Sequence, residues 1–175
     1  APKVEERVRE RCKKEGLCHM VALSVSSVVE RRCKKAGIDY CQVMAAFLAY
    51  LTGRGYRVWM FANAARIHSK KPRNNDLMTG DAIARAYRRM ERGKTKDKHT
   101  GNNKLIWEHR EMDAEELRAM IAQCECLVAS RFHAMVFALS EQVPVMLIGW
   151  SHKYEEVMEQ FGLSAYASDY AGLSL

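Results

Sequence analysis

The sequence predicts a Rossmann-like α/β fold, a three-layer sandwich with a mainly parallel sheet of five or more strands between helices. Three observations carry this. Short apolar runs recur five times along the 175 residues, each bounded by polar or turn residues, as buried strands are. Segments with apolar residues at helical spacing alternate with them. The runs end in hydroxyl, cationic or imidazole side chains, the chemistry expected where a parallel sheet presents its carboxyl ends to a ligand.

The elements follow in order. Val4, Val8 and Cys12 recur every four residues, which makes Pro2 to Gly16 a helix with Gly16 as its C-terminal cap. His19 to Val25 reads as a buried strand with a loop at Ser26–Ser27, and the basic stretch Glu30 to Ala36 as a solvated loop. Asp39 caps a helix from Tyr40 to Thr52. Gly53 and Gly55 imitate part of a dinucleotide fingerprint, but they follow a helix and precede the strand Arg57 to Ala62. The fingerprint needs the reverse order, so they read as cap and turn residues. Asn63 to Asp76 is a polar loop with Pro72, then comes a helix from Thr79 to Arg92 and a Lys-rich loop from Gly93 to Asn103. The strand Lys104 to Trp107 leads to a helix from Ala114 to Gln123, where Asp113 and Glu116 resemble a capping box. The strand Cys126 to Ala129, the helix Phe132 to Glu141, the strand Val143 to Ile148 and a helix from Tyr154 to Phe161, capped by Gly162, complete the pattern.

Composition bounds the answer. With 48% hydrophobic and 28% charged residues, the chain holds enough apolar surface to fold, and 175 residues suit one domain. No uncharged apolar run approaches the roughly 20 residues a membrane helix needs. The charged N-terminus is no secretory signal, and the absence of an initiator Met suggests a processed or excised chain. Six cysteines offer no C-x-x-C, and the C-x-C at Cys124 and Cys126 lacks a matching pair, so reduced, buried thiols are expected rather than a metal site. The net charge of +7 is unevenly spread: residues 1–110 hold 25 Lys/Arg against 11 Asp/Glu, and residues 111–175 hold 3 against 10. Whatever the basic part meets, the acidic third does not share it.

Taking the strand ends one by one locates the chemistry. The first ends at Ser24, Ser26 and Ser27, the second at Asn63 and Arg66, and the third at Glu108, His109 and Arg110. The fourth ends at Ser130, Arg131 and His133, the fifth at Gly149, Trp150, Ser151, His152 and Lys153. Donors dominate, so the expected ligand is a small anion. The sharpest feature is A-S-R-F-H-A, at a strand-to-helix junction where free N–H groups favour negative charge. Arg131 offers a planar fork for a carboxylate or phosphate, and the His133 imidazole can pass a proton or donate to an anion. Spacing equally allows Arg131 to pair with an acidic neighbour and His133 to pack on its helix. Ser151 can cap the last helix, and Lys153 in its first turn is either a phosphate clamp or a solvated cation.

The stretch from Cys124 to Gly162, with Arg131-Phe132-His133-Ala134, then Val143-Pro144 and His152-Lys153-Tyr154, resembles the polysaccharide pyruvyl transferase family. A-L-S-V-S-S-V-V-E, I-D-Y, R-G-Y-R-V and N-N-D fit the same resemblance, which runs from about Val21 to Gly162. It implies transfer of a pyruvyl group from phosphoenolpyruvate to glycan hydroxyls as a ketal, in one lobe of a fold resembling the two-domain GT-B glycosyltransferases. It further implies that Arg131 and His133 contact the donor's carboxylate or phosphate, with the Phe132 backbone nearby and Lys153 as a weaker carry-over. The chemistry of the residues makes His133 the candidate for proton transfer and Arg131 for charge stabilisation, and the strand-end hydroxyls Ser26, Ser130 and Ser151 are further candidates for lining the substrate. Phosphoenolpyruvate is then a substrate, and no cofactor is implied.

Two departures accompany the resemblance. Family members are typically about twice this length, so residues 1–175 read as the C-terminal, donor-binding half of a larger enzyme, completed by an N-terminal lobe or a partner chain. Asn63 to Arg66 also lacks a His that relatives often place there. The implied partners are an anionic donor and a glycan or lipid-linked glycan acceptor, in the cytoplasm or at the inner face of a membrane, with no specific nucleic acid. A nucleotide-sugar-binding half of a GT-B glycosyltransferase is one alternative, and a basic module for nucleic acid or anionic surfaces is another.

Overall fold

The computed structural model describes residues 2–16, 19–65, 75–94, 104–149 and 151–174. Expectations for Cys18, Arg66, the Pro72 segment, the Lys-rich stretch 95–103 and Trp150 fall outside them. The order is α1 (Pro2–Glu15), β1 (Val21–Val25), α2 (Ser27–Lys35), α3 (Tyr40–Gly53), β2 (Val58–Ala62), α4 (Leu77–Lys94), β3 (Leu105–Glu108), α5 (Ala114–Ile121), β4 (Cys126–Ala129), α6 (Phe132–Ser140), β5 (Val145–Gly149), α7 (His152–Gln160) and β6 (Ala167–Asp169). Short 3₁₀ turns, Ser164–Tyr166 and Tyr170–Gly172, flank β6.

All six strands are parallel, in the order β3-β2-β1-β4-β5-β6. Successive side chains of a strand point to opposite faces, so each buried strand feeds both layers. Ala22, Trp59, Phe61, Leu127, Ala129 and Leu147 pack with α1, α5, α6 and α7 on one face. Leu23, Val25, Val58, Met60, Val128 and Ile148 pack with α2, α3 and α4 on the other. Strands buried on both faces explain the run VALSV, interrupted only by buried Ser24, and the unbroken apolar run VWMFA.

The structure corrects the sequence reading at two elements. The serine loop and basic stretch after β1 form α2: Ser26 caps it by accepting from the Val28 and Val29 amides. Val29 and Cys33, four apart, are buried, while Arg31, Lys34 and Lys35 face outward. The charges hid a one-turn apolar stripe. The three-residue edge strand β6 was missed because A-S-D carries no apolar alternation. The capping readings fare better: Asp39 accepts from the Gln42 amide at 3.1 Å and Asp113 from the Glu116 amide at 2.7 Å. Glu116 does not complete the box; its carboxylate accepts from Arg110. The five described cysteines are free, but Cys124 and Cys126 are half-buried rather than buried.

One close approach depends on glycine. A Cβ at Gly80 would stand 2.1 Å from the Trp107 ring, whose indole N–H donates to Asp81 at 2.8 Å. In open space Gly→Ala inside a helix stabilises by about 1 kcal/mol. Here overpacking reverses the sign, and Gly80→Ala is expected to lower stability by about 1–3 kcal/mol in urea unfolding. A stabilised variant would show that α4 and β3 are not in this contact.

At the end of β3, buried Glu108 accepts from Arg11 at 2.8 Å and from Arg110 at 3.1 Å, tying α1 to the sheet. Burial opposes ionisation, but the two guanidiniums outweigh it and hold the carboxyl below its ordinary 4.5. A depressed folded value gives stability that is complete above the unfolded value and is lost as pH falls through the folded one. Glu108→Gln should therefore cost stability at neutral pH, with the gap to wild type closing as pH drops below 4.5. Unfolding midpoints across that range check it, and a gap independent of pH would contradict it.

Candidate active site

The strand order reverses direction at β1, which lies between β2 and β4. In open parallel sheets the ligand crevice opens there, at the carboxyl ends of the two diverging strands. Ser24 of β1 is level with Ala129 of β4, and the Ser130 amide donates to the Ser24 carbonyl at 3.2 Å, closing the floor of the crevice. Residues just beyond, Ser26–Ser27 and Ser130–Arg131, form its walls.

The centre of these walls is a residue sequence reasoning did not single out. Asp76, fully buried before α4, accepts from four directions. Oδ1 takes the Ser27 amide at 2.8 Å and Arg131 Nη2; Oδ2 takes the Ala64 amide at 3.1 Å and Arg131 Nε at 3.0 Å. Its own amide donates to the Ala64 carbonyl at 2.7 Å. A carboxylate has about four acceptor positions, and all are used. One side chain thereby joins the ends of β1, β2 and β4 to the start of α4. The signal was present in N-N-D ahead of a helix, but an Asp there reads first as a cap.

Of the two readings that spacing left open for Arg131, the structure shows the ion pair. Its side-on fork is committed to Asp76, and Nη2 also donates to Ser27 Oγ at 3.3 Å. The pairing leaves Nη1 with no partner among the described residues, on a side chain still 15% exposed. Arg131 thus combines a fixed orientation with spare donors.

The hydroxyls of Ser26 and Ser130, expected beside the ligand, are buried. Ser26 caps α2, and Ser130 Oγ lies 3.3 Å from the Tyr40 hydroxyl. Tyr40, also missed, stands under the crevice; burial pushes its phenol above its ordinary value, so it stays protonated. These groups are turned inward because each satisfies another buried donor or acceptor, and they shape the floor of the crevice rather than its surface. Two polar atoms at the strand ends remain buried without a hydrogen bond, Ser24 Oγ and Asn63 Oδ1.

Beyond Arg131, α6 and α7 start side by side on adjacent strands. Arg131 is the N-cap residue of α6 and Ser151 that of α7, and neither side chain caps its helix. Phe132 holds the two starts together, edge-on to Tyr154 with centroids 5.5 Å apart and with Lys153 Nζ 4.3 Å from its ring centre. His133 is exposed on the first turn of α6, its ring 6.1 Å from that of Phe132. His152 is 94% exposed and lies near Glu155, away from this group. The structure therefore brings together Arg131, Phe132, His133 and Lys153, with Ser151 half-buried at the start of α7. Two helix starts without side-chain caps, two cations and an imidazole thus lie together, a donor set of the kind that favours an anion.

Sheet order and crevice define the class: an α/β lobe of the kind found in GT-B glycosyltransferases. Eleven chains of known structure match it. One is an UDP-forming alpha,alpha-trehalose-phosphate synthase from Burkholderia xenovorans, at 15% identity and a TM-score of 0.56 over 98% of this chain. The chain spans 39% of that protein's length. A search of curated proteins finds no match. The polysaccharide pyruvyl transferase family model matches residues 62–152, from the end of β2 through the start of α7, and the chain belongs to that family.

Asp76→Asn removes the buried charge that answers Arg131 and is expected to cost about 3 kcal/mol in urea unfolding. The double change Asp76→Asn with Arg131→Met removes both charges and should recover part of that loss. If the single variant is as stable as wild type, the ion pair does not organise the crevice.

Proposed function

We propose that this chain is the donor-binding lobe of an enzyme that transfers a pyruvyl group from phosphoenolpyruvate to a pair of glycan hydroxyls. The observation that carries the proposal is the pair of uncapped helix starts beside Arg131, in a chain of this family. Phosphoenolpyruvate carries two anionic groups, and two adjacent helix starts with Arg131 and Lys153 offer matching donors for both. A second lobe, from the same polypeptide or a partner, would bring the glycan acceptor across the crevice.

The reaction needs three events. The methylene carbon gains a proton, two acceptor oxygens bond to the adjacent carbon, and the phosphate leaves with the original C–O electron pair. Of the two acceptor protons, one balances the new methyl group and the other leaves with phosphate or solvent. His133, exposed and unpartnered among the described residues, is the group placed to move a proton. Arg131, the helix amides and Lys153 stabilise charge on the departing phosphate and on the carboxylate.

The fold likeness to a UDP-forming synthase favours one competing reading, a nucleotide-sugar lobe. Calorimetry with phosphoenolpyruvate and with UDP separates them: tighter phosphoenolpyruvate is expected, and saturable binding of UDP alone would overturn the proposal. Arg131→Lys keeps a charge for Asp76 but loses the fork, and should weaken phosphoenolpyruvate about tenfold. In the complete enzyme, His133→Gln should slow transfer by about 10²–10⁴ while leaving donor affinity nearly unchanged. A His133→Gln enzyme with wild-type turnover would remove the histidine from the chemistry.

A further inference from the structure

The helical layer opposite α5–α7 carries a pattern that the crevice does not use. Helix α3, YCQVMAAFLAYLTG, has no charged residue in its 14 positions, although it lies on the outside of the molecule. Met44, Ala45, Leu48 and Leu51 are buried against the sheet. Val43, Ala46, Phe47 and Tyr50 keep some exposure at spacings of three, one and three, one continuous stripe along the outer face. Tyr50 is 55% exposed and lies under the Arg54 guanidinium, 4.9 Å from its ring centre.

This apolar stripe runs between two rows of cations. Helix α3 packs against both α2 and α4. The outward residues of α2 are Arg31, Lys34 and Lys35; those of α4 are Arg85, Arg88, Arg89 and Arg92. Arg85 acts electrostatically on Cys41 in the first turn of α3, which puts the α4 row beside the stripe. The acids of these three helices are fewer than their cations. Glu30 accepts from Thr79 and Cys41, Asp81 accepts from Trp107, and Glu91 is half-buried. Asp39, the cap of α3, is exposed, and the Asp81 side chain, 40% exposed, also lies 3.7 Å from His109.

We propose that the α2–α3–α4 face docks on a membrane surface rich in anionic phospholipid. An apolar strip lined by Arg and Lys matches the headgroup boundary, where cations meet lipid phosphates while Tyr and Phe enter the interface. Charge complementarity favours lipid over nucleic acid, because a duplex groove offers no apolar phase for Val43, Ala46 and Phe47. The proposal goes beyond the donor reading and holds whichever donor the crevice takes.

Vesicle co-sedimentation of the full chain tests it. Phosphatidylcholine vesicles with about 30% phosphatidylglycerol should bind the protein, and pure phosphatidylcholine should not. Arg88→Glu with Arg89→Glu should weaken binding by about tenfold or more, since each basic residue contributes about 1 kcal/mol near such a surface. Lys13→Glu with Lys14→Glu, exposed on α1 in the opposite layer, makes the same change in net charge and should leave binding within about twofold. Tyr50→Ser, which leaves the charges in place, should weaken binding as well. No binding to the anionic vesicles overturns the proposal, and so does equal loss in both charge variants. Tighter binding to a DNA duplex than to the vesicles assigns the face to nucleic acid. Lipid-free self-association abolished by the α4 variant assigns it to a second copy of the chain.

Discussion

The crevice depends on one buried ion pair. Asp76 and Arg131 are 55 residues apart, yet the carboxylate binds the guanidinium side-on and takes amides from Ser27 and Ala64 in the same four bonds. Removing a carboxylate from water is costly, and this one is compensated only because all its acceptor positions are filled. The arrangement makes the ends of β1, β2 and β4 a single unit. Arg131 is thereby aimed toward α4, and α6 begins without a side-chain cap because a guanidinium, having donors only, cannot accept from its amides.

That absence acquires meaning beside the other helices. Ser26 caps α2, Asp39 caps α3 and Asp113 caps α5, each worth about 0.5–2 kcal/mol. Helices α6 and α7 have no such bond from Arg131 or Ser151. The two uncapped helices follow β4 and β5, stand next to each other and share the Phe132 contact. Two neighbouring helix starts without the cap that α2, α3 and α5 have leave amide donors open, which is the feature the proposed anion site uses. Tyr40 and Ser130 support this from below by filling the floor of the crevice with satisfied, buried hydroxyls.

Much of this was legible in the sequence, and the rest was hidden for definite reasons. Alternating apolar runs gave the parallel sheet, because strands buried on both faces leave an unbroken signal. Helix α2 was missed because Arg31, Arg32, Lys34 and Lys35 mask the buried pair Val29 and Cys33; β6 was missed because an edge strand of three residues needs no apolar pattern. The S-R-F-H-A junction was visible, but whether Arg131 met a ligand or an acid was not. That choice rests on Asp76, remote in sequence and close only through the topology. The charge split also gained a place: the cations of α2 and α4 cover one outer layer, while acidic residues such as Glu115, Glu155 and Glu159 belong to the other.

The central claim is that the free amides of α6 and α7 receive the donor's anionic groups. It is tested most directly by titrating ¹⁵N-labelled protein with phosphoenolpyruvate and following backbone amide shifts. The account predicts saturable shifts at the Phe132, His133 and Lys153 amides, with the capped starts of α3 and α5 unmoved. Saturable shifts confined to other elements, with these three amides unchanged, would contradict it.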